Sequence, residues 1–148
     1  MATPKENITL AKSLYELFNQ RKVDEAAKNL TSNATWTNTS TGETFQGQSG
    51  FKTFCQGWIT AFSDARADIQ IQFASDTHVV TEFIGRGTHD GPLKSPQGSI
   101  PPTKKKINVK FCEILQITNG KVSEGRLYFD TATMMRQLGL SPESIGTR

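Results

Sequence analysis

Hydrophobic and polar residues alternate along two consecutive segments in the last third of the chain, and this alternation predicts a long β-hairpin. The predicted strands are Lys106–Thr118 and Lys121–Phe129, and they flank the dipeptide Asn119-Gly120. Asn-Gly strongly favours a two-residue type I′ turn, because both residues accept positive φ angles. The turn therefore predicts the register of the two strands.

The predicted register brings charged residues onto an apolar face of the hairpin. Counting outward from Thr118 opposite Lys121 pairs Glu113 with Arg126, Phe111 with Tyr128 and Val109 with Asp130. Glu124 falls on the same face. Because buried charges are costly unless they are paired or hydrated, we interpret Glu113 and Arg126 as a cross-strand ion pair. An apolar wall with a few convergent polar groups is typical of a ligand pocket.

Apolar residues recur at helical spacing earlier in the chain and predict three amphipathic helices. These helices are expected around Leu10–Phe18, Val23–Leu30 and Phe51–Phe62. A short strand around Trp36 lies between the second and third helices, and alternation over Ala67–Phe73 and His78–Gly87 predicts two more strands. A short helix is expected to end at Gly139. This order predicts an α+β fold in which twisted, mostly antiparallel strands wrap around the third helix and leave an opening at one end.

Composition and length narrow the functional classes. The chain has 148 residues, which suits a single domain over 1–148 with a core from about 8 to 140. Its net charge of +3 is spread along the chain and gives little support for nucleic-acid binding. We interpret Cys55 and Cys112 as reduced, buried thiols, and no spacing of possible metal ligands indicates a metal site. Since the N-terminal residues lack a secretory pattern and no apolar run reaches membrane-spanning length, we expect a cytoplasmic protein without a membrane partner.

Five short segments carry a resemblance to a known family. They are Gly87-Thr88-His89-Asp90-Gly91-Pro92-Leu93, Ile100-Pro101-Pro102-Thr103, Asn119-Gly120-Lys121-Val122-Ser123-Glu124, Phe129-Asp130 and Gln137-Leu138-Gly139. Their order and spacing resemble the SnoaL-like polyketide cyclases, which belong to the nuclear-transport-factor-2-like superfamily together with ketosteroid isomerases and limonene epoxide hydrolases. The resemblance extends from about Ile8 to Leu140.

The resemblance implies a fold and a chemistry. It implies a cone-shaped curved sheet with helices against its concave side, and homodimers or homotetramers formed through the sheet. It also implies intramolecular aldol condensation or a related isomerisation of a hydrophobic carbonyl compound, without a metal or organic cofactor. Asp130 matches the acid that moves protons in the pocket, and His89 matches a histidine that assists it. The substrate-binding candidates are Trp36, Phe54, Trp58, Phe111, Glu113, Glu124, Arg126, Tyr128 and Met134.

Each candidate also has a structural interpretation. Asp130 immediately precedes a predicted helix and could cap it, which would stabilise the anion and make it a poorer base. His89 could be a loop histidine bonded to nearby backbone. Aromatic residues at helical spacing usually form a core, and a tyrosine beside Phe111, such as Tyr128, more often packs than donates its hydroxyl group.

Two other functions compete with the cyclase hypothesis. A catalytically silent module of the same fold could bind small molecules or mediate oligomerisation. An epoxide hydrolase would need two acids and an arginine around a water molecule, and Glu113, Arg126 and Asp130 could supply that set. Because one fold hosts many chemistries, the arrangement of these residues must decide between the alternatives.

Overall fold

Helices cover one side of a six-stranded sheet in the computed structural model, which describes residues 2–140. The helices are α1 (Pro4–Asn19), α2 (Val23–Ala27), α3 (Gly47–Ala61) and α4 (Thr131–Gln137). The strands are β1 (Leu30–Asn38), β2 (Glu43–Gln46), β3 (Arg66–Ala74), β4 (His78–Thr88), β5 (Leu93–Ser95), β6 (Gly98–Ile100), β7 (Lys106–Thr118) and β8 (Lys121–Phe129). The predicted α+β class and curved sheet are confirmed. Residues 141–148 of the predicted domain lie outside the described residues.

The main sheet has the strand order β2-β1-β8-β7-β4-β3, and all neighbours are antiparallel except β1 and β8. The parallel pair brings the N-terminal third of the chain against the C-terminal hairpin. Strands β5 and β6 form a separate small hairpin within the segment 90–103. Leu30, which the helical pattern assigned to the second helix, instead begins β1.

The long helices bury one face each. Helix α1 starts with a capping box in which the Thr3 hydroxyl accepts from the Glu6 backbone N–H at 3.1 Å and the Glu6 carboxylate accepts from the Thr3 N–H at 3.1 Å. Its buried face includes Ala11, Leu14 and Tyr15 at helical spacing. The buried residues of α3 are Phe51, Phe54, Cys55 and Ala61. These faces form the core against the concave side of the sheet.

The long hairpin confirms the predicted turn. Its strands have the predicted bounds, Thr118 pairs with Lys121, and Asn119 and Gly120 have φ angles of 52° and 76°. On β7, the predicted apolar face is buried and includes Glu113, which is 6% exposed. The local pattern therefore predicted correctly the bounds of both strands, the turn and the buried face of β7.

The predicted pairing beyond the turn is wrong, because β8 contains a β-bulge. The register shifts between Gln116 paired with Glu124 and Ile117 paired with Val122, so Ser123 is an extra residue. Beyond the bulge Glu113 faces Leu127 and not Arg126. The observed pairs replace the three predicted ones: Phe111 with Phe129, Cys112 with Tyr128 and Ile114 with Arg126. Asp130 lies beyond the last paired residue and is not opposite Val109.

The bulge exchanges the two faces of β8. Gly125 and Leu127 now lie on the buried face, whereas Glu124, Arg126 and Tyr128 lie on the outer face of the sheet. This arrangement keeps two charged side chains out of the core, where desolvation would cost several kcal/mol per unpaired ion. It also rules out the predicted cross-strand ion pair between Glu113 and Arg126.

A second register shift divides β3. It falls between Ile69, which pairs with Phe83 of β4, and Ile71, which pairs with Glu82. Ile71 and Phe73 therefore lie on the outer face, where they are 53% and 60% exposed. The regular alternation of the strand had placed all its apolar residues on one face.

Candidate functional site

The concave side of the sheet and the helices enclose a small aromatic cavity, here called the inner chamber. Its volume is about 100 Å³. The aromatic residues in its wall include Phe51, Phe54, Trp58, Phe62, Phe83 and Phe111. Five of the predicted substrate-binding residues line this chamber, namely Trp36, Phe54, Trp58, Phe111 and Glu113. The apolar wall predicted from the sequence is therefore present, and Leu14, Tyr15 and Phe18 of helix α1 also contribute to it.

Glu113 is the carboxylate that lines the inner chamber, and both of its oxygens are hydrogen-bonded. The Tyr15 hydroxyl donates to Oε1 at 2.7 Å, and the Trp36 indole Nε1–H donates to Oε2 at 2.9 Å. Tyr15 comes from α1 and Trp36 from β1, so three distant parts of the chain converge on one carboxyl group. The two donors fix the plane of the carboxylate. No cation forms an ion pair with it in the described structure.

Burial changes the acidity of Glu113. Desolvation raises the pKa of its carboxyl group from 4.5 to about 7, although the hydrogen bonds from Tyr15 and Trp36 oppose this rise. Burial and the nearby Glu113 carboxylate also raise the pKa of the Tyr15 hydroxyl and of the Cys55 thiol. At neutral pH the chamber thus contains one group that exchanges protons and two neighbours that stay protonated.

The hydrogen-bond donors also determine where a proton binds. The Trp36 indole is a donor only, so Oε2 of Glu113 must remain an acceptor. The Tyr15 hydroxyl can accept as well as donate, and Thr81 interacts with it from β4. Of these two partners only Tyr15 can accept, so a proton on Oε1 of Glu113 is the one that either of them could hold in a hydrogen bond.

Gly125 creates the space in which Trp36 reaches Glu113. A Cβ atom at Gly125 would lie 2.4 Å from Cε2 of the Trp36 ring, and the two residues are partners across the parallel β1–β8 pair. The indole therefore lies directly over the backbone of β8. Edge contact with Phe51, at 4.7 Å between ring centroids, holds it from the helix side.

A larger cavity, here called the outer hollow, adjoins the inner chamber. Its volume is about 500 Å³, and Phe54 and Trp58 line both cavities. The polar residues around it include Asn38, Thr41, Glu43 and Lys94, and Met134 lies in its wall as a predicted site residue. Trp58 makes edge contacts with Phe111 and Phe129 at 5.7 Å, so an aromatic wall separates the two spaces.

Comparison with known proteins establishes the family. The family model described as SnoaL-like polyketide cyclase matches residues 8–138. The chain belongs to this family. A search of curated proteins finds no match. The family assignment confirms the resemblance found in the sequence and extends over nearly the whole described structure.

Solved structures support the same fold. A SnoaL-like polyketide cyclase candidate from Jannaschia sp. CCS1 superposes with a TM-score of 0.83 at 16% identity, covering 96% of this chain and 97% of that one. IdmH, a candidate polyketide cyclase from Streptomyces antibioticus, gives 0.73 at 21% identity over 89% and 97%. A protein with a ketosteroid-isomerase-like fold from Catenulispora acidiphila DSM 44928, in complex with trimethylamine, gives 0.75 at 12% identity over 90% and 95%. At these identities the likeness concerns the fold.

Within this family fold, Asp130 occupies the N-cap of α4 at the surface. Its carboxylate accepts from the Ala132 backbone N–H at 3.0 Å and from the Thr133 hydroxyl at 2.8 Å. The Thr133 hydroxyl and the backbone donors lower the pKa of this carboxyl group. Asp130 lines neither cavity. Its catalytic role stays a prediction, and the observed geometry is that of the helix cap considered as the alternative.

His89 is fully buried after β4 but lines neither cavity. Its Nδ1 accepts from the Thr103 backbone N–H at 3.1 Å, so the neutral ring carries its proton on Nε2. Nε2 has no partner among the described residues, and burial lowers the pKa of the ring. His89 therefore holds the segment around Thr103 against the end of β4, and its assistance to Asp130 stays a prediction.

The remaining predicted binding residues lie outside the cavities. Glu124, Arg126 and Tyr128 are on the outer face of the sheet, and the Nε atom of Arg126 is buried without a hydrogen-bond partner in the described structure. Glu113 thus lies in the interior, Arg126 on the outer face of the sheet and Asp130 at a helix cap. The three residues do not assemble the acid–arginine–acid set that the epoxide-hydrolase hypothesis requires.

Tyr15 was not among the residues predicted from the sequence. Its signal was present, because Ala11, Leu14, Tyr15 and Phe18 follow helical spacing and place a polar hydroxyl on a buried face. Residues 2–140 contain no cluster of three or more metal-binding side chains. No helix in that range is long and apolar enough to cross a membrane.

Proposed function

We propose that this SnoaL-like protein transfers protons on a hydrophobic carbonyl compound, with Glu113 as general acid and base. In the proposed aldol closure, Glu113 takes a proton from a carbon next to a carbonyl group. The resulting enolate carbon bonds to a second carbonyl carbon of the same molecule, and the alkoxide that forms recovers the proton. The same proton transfer without carbon–carbon bond formation would be an isomerisation.

The observation that carries this proposal is a buried carboxyl group with a pKa of about 7 in an aromatic chamber. A general base works best when its pKa is near the operating pH, because it is then both available and sufficiently basic. Glu113 meets this condition, whereas the hydrogen bonds to Asp130 lower the pKa of that group. We therefore assign the proton-transfer role to Glu113 in place of Asp130.

Tyr15 is the second group in the proposed mechanism. Its hydroxyl already donates to Glu113 Oε1 and remains protonated at neutral pH because burial raises its pKa. A donor of this kind next to the base can stabilise a developing enolate oxygen after a small reorientation. Trp36 then keeps the carboxylate in place, because it bonds the opposite oxygen.

One observation favours a catalytically silent binding module as the second candidate. Both oxygens of Glu113 are already hydrogen-bonded within the protein, so this buried group could serve only to connect α1, β1 and β7. Such a module would bind an apolar molecule without changing it. The two functions differ in whether removal of the proton-transfer group affects turnover or only stability.

The matched variants Glu113→Gln and Asp130→Asn test the proposal. We expect Glu113→Gln to reduce turnover at least about 100-fold and Asp130→Asn to change it less than about twofold. Ring closure of polyketide methyl esters and exchange of the α-proton with deuterated water are the two readouts. Activity of the native protein should rise with pH through about 7, where Glu113 loses its proton. Full activity in Glu113→Gln, or loss confined to Asp130→Asn, would contradict the assignment.

We also propose that two copies associate through the outer face of the sheet, as the family resemblance implies. Ile71, Phe73 and Tyr128 are 53%, 60% and 40% exposed there. Strand pairing places Ile71 in line with Tyr128 across β4 and β7, and apolar residues exposed on one face often mark protein–protein contacts. Arg126 and Glu124 add both signs of charge to the same face, which suits a two-fold interface that pairs a surface with itself.

A further inference from the structure

A row of polar side chains crosses the concave face of the sheet and ends at Glu113. Gln72 of β3 is the partner of Thr81 of β4, and Thr81 is in turn the partner of Glu113 of β7. Direct partners on one face of a sheet have Cβ atoms about 5 Å apart, so the three side chains are neighbours. Thr81 is fully buried, whereas Gln72 is half-buried on the edge strand. The row therefore connects the buried carboxyl group to the edge of the sheet.

The hydrogen bonds of Thr81 leave its hydroxyl proton available. The side-chain Nε2–H of Gln72 donates to Thr81 Oγ1 at 3.0 Å. Because an amide N–H group cannot accept in return, the Thr81 proton needs a different acceptor. Within residues 2–140 it donates to no backbone carbonyl or carboxylate, and the oxygen of Tyr15, which interacts with Thr81, is the acceptor beside it.

Tyr15 connects this row to the carboxyl group. Its hydroxyl donates to Glu113 Oε1 at 2.7 Å, and its oxygen can at the same time accept a hydrogen bond. No hydrogen bond joins Thr81 directly to Glu113 among the described residues, so the effect of Thr81 must pass through Tyr15. The three successive hydrogen bonds then all point toward the carboxylate, and hydrogen bonds in series strengthen one another.

From this geometry we infer that Thr81 is a positioning residue, whose hydroxyl donates to Tyr15 and directs the Tyr15 proton to Glu113. A hydroxyl oxygen that accepts one hydrogen bond is a stronger donor in the next, so Tyr15 stabilises the ionised carboxylate more effectively. The Tyr15 proton also stays at the inner chamber, where the proposed mechanism uses it on an enolate oxygen. The part of Thr81 in catalysis rests on the proposed function, because it acts on the proton of the same site.

The side chains that face Glu113 are neutral at neutral pH. Helices α1 and α3 contribute the Tyr15 hydroxyl and the Cys55 thiol, whose raised pKa values keep both groups protonated. The Cys112 thiol precedes Glu113 on the opposite face of β7, and burial raises its pKa as well. The neighbouring strands contribute side chains that do not titrate, namely Trp36, Thr81 and Leu127. A substitution at Thr81 is therefore expected to act on Glu113 through hydrogen bonds.

The pKa of Glu113 in matched variants tests the role of Thr81. Carbon-13 NMR titration of labelled glutamate carboxyl groups measures this pKa, and the signal that is absent from Glu113→Gln identifies the residue. In Thr81→Val we expect the pKa to rise from about 7 by about 0.5–1 pH unit, because a hydrogen bond that supports the anion is lost. Thr81→Ser retains the hydroxyl and should leave the pKa nearly unchanged.

Three further variants separate the row of hydrogen bonds from general effects of substitution. Thr37→Val removes a hydroxyl that bonds a neighbouring threonine at 3.1 Å on the outer face of the sheet, and it should not change the pKa. Gln72→Met removes the first donor and should raise the pKa less than Thr81→Val does; its half-buried position keeps the test available if Thr81→Val fails to fold. In the background Tyr15→Phe, which lacks the connecting hydroxyl, Thr81→Val should have little further effect.

The positioning role and the proposed function fail in different ways. An unchanged or lowered pKa of Glu113 in Thr81→Val and Gln72→Met would overturn the role of Thr81. The same rise in Thr37→Val, or an equal rise with and without the Tyr15 hydroxyl, would also overturn it. The pH dependence of turnover should move upward together with the NMR pKa. A rise in the NMR pKa without that movement would support the positioning role and contradict Glu113 as the catalytic base.

Discussion

The pH dependence of stability provides a direct test of the buried state of Glu113. Its folded pKa of about 7 lies above the ordinary value of 4.5, so the folded protein binds the proton more tightly than the unfolded chain does. The stability associated with the protonated form is fully present below about pH 4.5. It is lost progressively as the pH rises to about 7, and little further change is expected above that pH.

The size of the effect follows from the two pKa values. The difference between 4.5 and about 7 corresponds to about 3 kcal/mol of unfolding free energy. Glu113→Gln removes this titration and can retain both hydrogen bonds. The Gln carbonyl oxygen would accept from Trp36, and its amide group would donate to the Tyr15 hydroxyl, which can accept.

Urea unfolding at a series of pH values, followed by tryptophan fluorescence, measures this effect in the native protein and the variant. The lowered pKa of His89 makes a contribution of opposite sign below about pH 6.5, but it is present in both proteins and cancels in their difference. We expect the variant to gain about 3 kcal/mol relative to the native protein between pH 4.5 and 8. A flat difference, or a gain on acidification, would refute the reasoning about burial.

Two further predictions concern packing and association. Gly125→Ala should destabilise the protein by about 1–3 kcal/mol, because the new Cβ would lie 2.4 Å from the Trp36 ring. The control is Gly57→Ala in α3, where the new Cβ would meet no atom within 4 Å. It should raise the unfolding free energy by about 0.5–1 kcal/mol, because alanine is a better helix former than glycine. Equal effects of the two substitutions in urea unfolding would argue against the close approach at Gly125. Phe73→Lys should shift a dimer toward monomer in sedimentation experiments, and a native protein that is monomeric at micromolar concentration would contradict association through the sheet.

Much of the fold followed from local patterns. Helical spacing predicted the buried faces of α1 and α3, and the Asn119-Gly120 turn predicted the first pair of the hairpin. Glu113 was placed correctly on the apolar face of β7, because alternation in a strand needs no knowledge of distant residues. The family resemblance then predicted the curved sheet and its helices.

The bulge at Ser123 explains why the site was predicted less well. Gly125, Leu127 and Phe129 alternate in phase with one another but out of phase with Val122, so the sequence contained a sign of the shift. Because counting from the turn assumed an unbroken strand, it predicted Arg126 on the buried face. The bulge is favourable because the folded sheet must bury apolar residues of β8 and expose its charges, and that requirement comes from the completed core.

Local sequence was enough to predict which residues can form strands, turns and apolar faces, since these depend on neighbours only a few positions away. Tertiary structure alone decided that Tyr15 and Trp36, 98 and 77 positions from Glu113, would donate to its two oxygens. It also decided the acidity of that carboxyl group. The reason is physical: a pKa responds to the loss of water and to the donors within hydrogen-bonding distance, and both are created only when the distant segments pack together.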